Sequence, residues 1–370
     1  MTRYRLHIGP NIRKSPFFDA TVADGVRSFS VYNHMYIPGH FGDPGAEYDR
    51  LIHGVAMWDV AAQRQVALEG SDAGRLAQVL TPRDLDDTPV GQGRYVPICD
   101  HDGWLINDPV LMPLRDDLVW LSAADSDLHL WAAAIARERG MDVRVHEPDV
   151  SPMAIQGPKA VEVAAALFGD EIRGMRPFAF QEASLDGIPL VLARSGWSKQ
   201  GGFELYLMDA TRGSDLWGLV KATGMSWDIG PGAPNDVERI ESGLISYGAD
   251  MRRQTHPADP FEMGLGKFVD LDGPHDFIGR GALAARHAAG PSRRRTGVVI
   301  AGSPVTANAH PLPLMRGDAQ VGTVSEIARS RRLDRNIGVA MVLIGAEDDL
   351  WIDLSDGPRS VTLADLPFRR

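Results

Sequence analysis

Cysteine is nearly missing from this chain of 370 residues, where Cys99 is the only one. A single thiol can form no intrachain disulfide framework and no thiolate cluster for structural zinc or iron–sulfur. Cys99 sits in the apolar run Tyr95-Val96-Pro97-Ile98-Cys99, the setting of a buried structural thiol and not of an activated nucleophile. Basic charge is also short: 38 lysines and arginines stand against 49 aspartates and glutamates, a formal net charge of −11. That excludes a general nucleic-acid binder, because such affinity comes from cations neutralising phosphates. The one basic run, Arg293-Arg294-Arg295, lies between Pro291 and Gly297 and reads as a solvated linker. No uncharged apolar stretch reaches about 18 residues, so no membrane span is expected. Met1-Thr2-Arg3-Tyr4-Arg5-Leu6 has neither the apolar core nor the cleavage pattern of a secretory leader. The expected setting is reducing and cytoplasmic.

Nucleotide and metal signatures are missing as well. Gly196-Trp197-Ser198-Lys199-Gln200-Gly201-Gly202 has the glycine spacing of a phosphate loop without its Lys-Ser/Thr end. No Gly-x-Gly-x-x-Gly follows an N-terminal strand, and no Gly-x-Ser-x-Gly elbow is present. The 11 histidines lack His-x-x-x-His or His-Glu-x-x-His spacing, so no metal is expected.

What the chain does contain is a unit written twice. Val66-Ala67-Leu68-Glu69-Gly70-Ser71-Asp72-Ala73, followed by Leu76, Ala77 and Leu80, reads as a strand, a glycine turn and an amphipathic helix. Met153-Ala154-Ile155-Gln156-Gly157-Pro158-Lys159-Ala160, followed by Val163, Ala164 and Leu167, reads the same way, with Gly169 as the stop. Strand-like runs follow each copy, then a helix carrying a Leu-Trp pair, Leu130-Trp131 in one and Leu216-Trp217 in the other. Each copy is therefore expected to be α+β, with helices on one face of an antiparallel sheet. The repeat aligns Asp108, ahead of Pro109-Val110-Leu111-Met112, with Glu204, ahead of Leu205-Tyr206-Leu207-Met208. Two acids at matching strand starts would face one cleft from opposite halves, although each could equally be an ordinary strand-edge acid. A helix is expected from Pro234-Asn235-Asp236 to Tyr247, capped by Gly248. From Thr296 onward, short β-rich runs alternate with turn residues, the pattern of a small all-β barrel or sandwich.

Four segments in order resemble the aminomethyltransferase family, which includes the glycine cleavage T-protein and its demethylating relatives. They are Ala154-Ile155-Gln156-Gly157-Pro158-Lys159-Ala160, the run from Arg194 to Tyr206, Glu238-Arg239-Ile240-Glu241-Ser242-Gly243-Leu244 and Asp276-Phe277-Ile278-Gly279-Arg280. Val31-Tyr32-Asn33-His34-Met35, Asn107-Asp108-Pro109-Val110 and Ala124-Asp125-Ser126-Asp127 are most similar to the branch that demethylates dimethylsulfoniopropionate-like sulfonium compounds. Trp197 stands where the family usually has tyrosine, and Lys199-Gln200 where the glycine cleavage proteins have Glu-Asp.

The resemblance implies an α+β fold with a duplicated ferredoxin-like folate-binding portion, residues 1–280, and a C-terminal antiparallel β-barrel, residues 281–370. It implies a three-lobed ring around a central cleft. It also implies a tetrahydrofolate-dependent demethylase, monomer or homodimer, moving a methyl group from a small donor to N5 of tetrahydrofolate. The alternatives are demethylation of a methylamine, betaine or methoxy compound, glycine cleavage-type aminomethyl transfer, or a folate-binding regulator without catalysis. Glu204, Tyr95, Asp108, Tyr206 and Arg239 are the expected cofactor residues, with Asp108 catalytic. Glu204 suits the pterin's adjacent N–H and amino donors. Tyr32, Trp197 and Tyr206 are the expected cage for a cationic donor, while Tyr95, Tyr206 and Trp197 could also be plain packing aromatics.

Overall fold

The computed structural model describes residues 8–369, so the leader reading at Met1–Leu6 lies outside it. The chain forms two compact units. One comprises Met1–Gly74, Thr88–Arg94 and Val110–Pro234, the other Arg75–Asp87, Tyr95–Pro109 and Asn235–Arg370.

The first unit holds a sheet from each copy of the repeat. In the first copy the strands run Arg144–His146, Gln65–Glu69, Leu118–Ser122, Val110–Arg115, all antiparallel. In the second they run Phe180–Leu185, Ile188–Ala193, Gly202–Leu207, Ser151–Gln156, Ala56–Asp59, with Gly230–Gly232 parallel at the edge. Both sheets follow one plan. Gln65–Glu69 pairs with Leu118–Ser122 and that strand with its hairpin partner Val110–Arg115, just as Ser151–Gln156 pairs with Gly202–Leu207 and that strand with Ile188–Ala193. The turn residue Gly157 has φ +124°, and a Cβ on it would lie 2.6 Å from the Gly54 carbonyl oxygen, so glycine is required there. The helix Ala160–Phe168 then ends at Gly169, φ +96°, as expected.

Period-2 alternation sorts the second sheet's side chains into two cores. Phe203, Leu205 and Leu207 pack with Val163, Ala164, Leu216 and Val220 from the helices. Phe180, Val191, Ala193 and Tyr206 point the other way and meet Ala67, Met112 and Trp120 of the first sheet. Trp120 and Tyr206 lie with ring centroids 6.4 Å apart. The face where the two sheets meet thus holds a packed apolar cluster.

Three local expectations need correction. Asp108 does not begin a strand: it falls in the break between Leu105–Asn107 and Val110–Arg115, where Pro109 has no N–H to give a ladder. Glu204 lies inside its strand, opposite Ala154 and Ala193, so the two acids are not equivalent. The helix from Asp236 stops at Ser242, because Gly243 turns left-handed at φ +64° and closes a C-cap on Arg239 and Ile240, a stop that glycine makes cheaply.

In the second unit the strands Arg293–Ile300, Arg335–Leu343, Ala319–Ser330, Leu312–Arg316, Leu350–Leu354 and Gly357–Ala364 close, in that order, into an antiparallel barrel. Leu312–Arg316 escapes a sequence reading because Pro313 sits within it. The arginine run is not a linker. It opens the first barrel strand, with Arg293 bonded to Glu262 and Arg295 to Asp250. Among the described residues no helix is long and apolar enough to cross a membrane.

Removing the indole that fills the inter-sheet core should be costly. Trp120→Ala is expected to lower the unfolding free energy by about 3–5 kcal/mol, read from the denaturant midpoint at unchanged m-value.

Candidate active site

In the first unit the site is built on Glu204. Its position in a strand paired on both sides fixes the backbone, and alternation puts its side chain on the same face as Tyr206. Glu204 is buried. The Ser195 hydroxyl donates to Glu204 Oε2, and the Tyr206 hydroxyl donates to the same oxygen at 3.1 Å. Both bonds end on one oxygen, and among the described residues no hydrogen bond to Oε1 is seen. Burial pushes the Glu204 pKa up, and the two hydroxyls offset part of that rise. In the first sheet, Gln65 Nε2 donates to Ser122 Oγ at 3.0 Å. Gln65 Oε1 is buried and accepts nothing among the described residues.

Tyr206 is completely buried. Trp120 lies beside its ring and its hydroxyl donates to Glu204. Tyr32 ends the strand Ser28–Tyr32 and packs partly against the helix-side core. The hairpin tip that follows is fixed by Asn33 and His34, both at positive φ. The Asn33 amide donates to the carbonyls of Ala62, Ala123 and Ala124. Trp197 lies half-buried in the loop joining Ile188–Ala193 to Gly202–Leu207.

In the second unit the site is built on Asp108 and Tyr95. The Tyr95 hydroxyl donates to Asp108 Oδ2 at 2.9 Å, and the Asp108 amide donates to Asn107 Oδ1 at 2.9 Å. Tyr95 is clamped in turn. Arg83 Nη1 donates to its carbonyl at 2.6 Å, and its ring meets Phe268 edge-on at 5.7 Å. Burial lifts the Asp108 pKa to about 7; the Tyr95 bond and the Arg295 charge hold it down, and Asp250 adds to the rise. Arg239, expected at the cofactor, is fully buried. Its guanidinium bonds Glu326 through Nε and Nη2, Asp250 through Nη1 and Nη2, and the Leu244 carbonyl through Nη1. All five donors are thereby taken.

The expected residues thus fall into two groups, Glu204, Tyr206, Tyr32 and Trp197 in one unit and Asp108, Tyr95 and Arg239 in the other. Sequence reasoning missed Ser195, Gln65, Asp250 and Arg295. Of these, Ser195 stood within the family-like run from Arg194 to Tyr206 and Arg295 within the basic run read as a linker, both without a role. Cys99 is buried and its thiol is pushed up by burial, in keeping with a structural role. One group among the described residues, Asp84, Asp86 and His275, could hold a cation, and both its carboxylates are exposed.

Residues 17–273 match the family model of the GCVT N-terminal domain. The chain is 41% identical over 360 residues to a Ruegeria pomeroyi protein named dimethylsulfoniopropionate demethylase DmdA, covering 95% of this chain and 96% of that one. It is 28% identical over 375 residues to an aminomethyltransferase of Synechococcus sp., covering 97% and 99%. The solved glycine cleavage system aminomethyltransferase T of Bartonella henselae matches with a TM-score of 0.85 at 21% identity, covering 97% of this chain and 98% of that one. This structural likeness bears out the expected fold.

The raised Asp108 pKa has a definite sign in stability. A carboxyl held at about 7 when folded, against ~3.9 unfolded, binds its proton more tightly in the folded state. Its contribution is fully present below about pH 4 and is lost as pH rises through about 7. The unfolding free energy of the wild type minus that of Asp108→Asn should therefore fall from acid to neutral pH. Carboxyl-carbon NMR should place the Asp108 midpoint near 7, and Tyr95→Phe should move it higher still. A midpoint in the ordinary carboxylate range would contradict this assignment.

Proposed function

The chain belongs to the GCVT family, the aminomethyltransferases and their relatives, and we propose that it is a cytoplasmic tetrahydrofolate-dependent demethylase of a small sulfonium such as dimethylsulfoniopropionate. The observation that carries this reading is the 41% identity, sustained over nearly the whole of both chains, to the protein named for that reaction. The residues present fit the cofactor. A pterin offers an N–H beside an amino group, and Glu204 offers a buried carboxylate with one oxygen already committed and the other available. Charge-assisted pairs of this kind are strong and directional.

When bound, tetrahydrofolate supplies the nucleophilic nitrogen N5, which takes the methyl group and gives up a proton. The C–S electron pair stays with sulfur, which leaves as a neutral thioether, so no residue has to protonate a leaving group. Asp108 is the catalytic group. Its pKa of about 7 suits it to stabilise charge developing at N5 and to receive the proton there. Tyr95 keeps the carboxylate oriented through its hydroxyl, with its ring as a wall of the pterin site. Glu204 holds the pterin edge, and Tyr206 holds Glu204. Arg239 serves the site indirectly, by fixing Asp250. Trp197 and Tyr32 offer aromatic faces to the cationic donor, an attraction worth roughly 0.5–2 kcal/mol per contact. Most of the rate comes from positioning, since the displacement needs alignment more than acid–base power.

The test is anaerobic incubation with tetrahydrofolate and a panel of sulfonium, methylamine, betaine and methoxy donors, with mass detection of 5-methyl-tetrahydrofolate. Methylated folate is expected with the sulfonium; its absence with every donor sinks the demethylase reading. Asp108→Asn should lower kcat roughly 10²–10⁴-fold with little change in folate affinity. Glu204→Gln should weaken folate binding roughly 10–100-fold. The reverse pattern would overturn the two roles.

A further inference from the structure

Gln156 ends the strand Ser151–Gln156 and is completely buried. Its side chain does not join the apolar core. The carboxamide is enclosed by the loop that leads from Ala193 to Gly202. Nε2 donates to the carbonyls of Ile155 and Ser195, both at 3.2 Å, and Oε1 accepts from Ser198 Oγ at 2.7 Å. Ser198 Oγ also accepts from the Gln200 amide at 3.3 Å. One side chain therefore grips the loop on both sides of Trp197.

Two glycines make room for that amide. A Cβ on Gly196 would lie 2.0 Å from Gln156 Nε2 and one on Gly202 2.4 Å from it, and their φ angles are +150° and +156°. Gly196 is explained by admission of the Gln156 amide, and Gly202 by that amide together with the Ile155 carbonyl oxygen, 2.3 Å from its Cβ position. The hold reaches further. Ser195, whose carbonyl Gln156 fixes, gives its hydroxyl to Glu204 Oε2.

A residue wanted only for packing would be apolar here, since a buried amide must first be stripped of water. The amide's two ends are used for different partners: the donor end holds Ser195 and the acceptor end holds Ser198. We infer that Gln156 is a positioning residue, whose single amide sets the loop that carries Trp197 and, through Ser195, the orientation of Glu204. This rests on the proposed roles of Glu204 at the folate and Trp197 at the donor. It adds that the two affinities are tied together by a residue that touches neither ligand.

Calorimetric titration of the full chain with tetrahydrofolate, and separately with dimethylsulfoniopropionate, tests the inference without turnover. Gln156→Met keeps the volume and removes both grips. It should weaken both ligands roughly tenfold, the loss of about one hydrogen bond's positioning at each, in protein whose unfolding transition is still cooperative. Gln156→Glu keeps an acceptor for Ser198 but sets a carboxylate against the Ser195 and Ile155 carbonyls, so folate should suffer more than the donor. Ser198→Ala releases only the Trp197 side and should weaken the donor while leaving folate binding unchanged. Where Gln156→Met does not fold, Ser198→Ala decides. Unaltered dissociation constants in a folded Gln156→Met, or an unaltered donor constant in Ser198→Ala, would overturn the inference. A wild type that binds neither ligand would instead remove the functional reading on which it rests.

Discussion

In each unit the candidate site depends on a carboxylate held by hydroxyl groups in place of cations. Glu204 is held by Ser195 and Tyr206, and Asp108 by Tyr95. Hydroxyl donors compensate only part of the desolvation, so both acids rise above their ordinary range. Asp250 makes the contrast. It too is buried, yet Arg239 and Arg295 hold it below the usual carboxylate range despite the cost of burial. The arginine-paired acid stays charged and serves structure. The hydroxyl-paired acids are shifted toward the neutral form and so toward proton exchange nearer neutral pH.

That division explains why the surrounding chain is so constrained. Glu204 can face one way and Phe203 and Leu205 the other only because the strand is locked in register by neighbours on both sides. A slip of one residue would exchange the acid for an apolar core residue. Tyr206, two positions on, is required to be aromatic by its packing against Trp120 and to carry a hydroxyl by Glu204. Its double duty leaves little freedom at that position. On the other carboxylate, Pro109 ends the strand Leu105–Asn107 and drops Asp108 out of ladder geometry, where Tyr95 can reach it.

Much of this architecture was legible in the sequence, and the unread parts have physical reasons. The repeat was readable because strand, glycine turn and amphipathic helix each leave a periodic trace. Most of the barrel was readable from β-rich runs between turns. The strand Leu312–Arg316 was not, because a proline inside it removes a ladder donor and counts against any strand assignment. The helix from Asp236 looked longer because apolar spacing continued past Gly243, and spacing cannot reveal a left-handed glycine. Asp108 and Glu204 were found, but their equivalence was an artefact of aligning strands that break differently. Gln156 and Ser195 stood in quoted motifs without a role, since a polar side chain's partners lie in folded space: Ser195 and Ser198 are 39 and 42 positions from Gln156.

On the proposed reaction, the arrangement also separates binding from rate. Positive charge begins on sulfur and ends on N5, so groups that attract the sulfonium lose their hold as the methyl group moves, while groups beside N5 gain. Trp197 and Tyr32, as faces for the cation, then contribute mainly to capturing the donor. Asp108 contributes mainly to the transition state, and only interactions that strengthen there accelerate the step. A permanently charged carboxylate beside the donor would bind the sulfonium in its ground state and surrender part of that advantage. A carboxyl poised at about 7 binds the cation less tightly at the outset and strengthens as charge reaches the nitrogen. On that reading, an Asp108 that no arginine pairs among the described residues is free to respond to charge at N5, while Arg295, bonded to Asp250, lowers its pKa without pairing it.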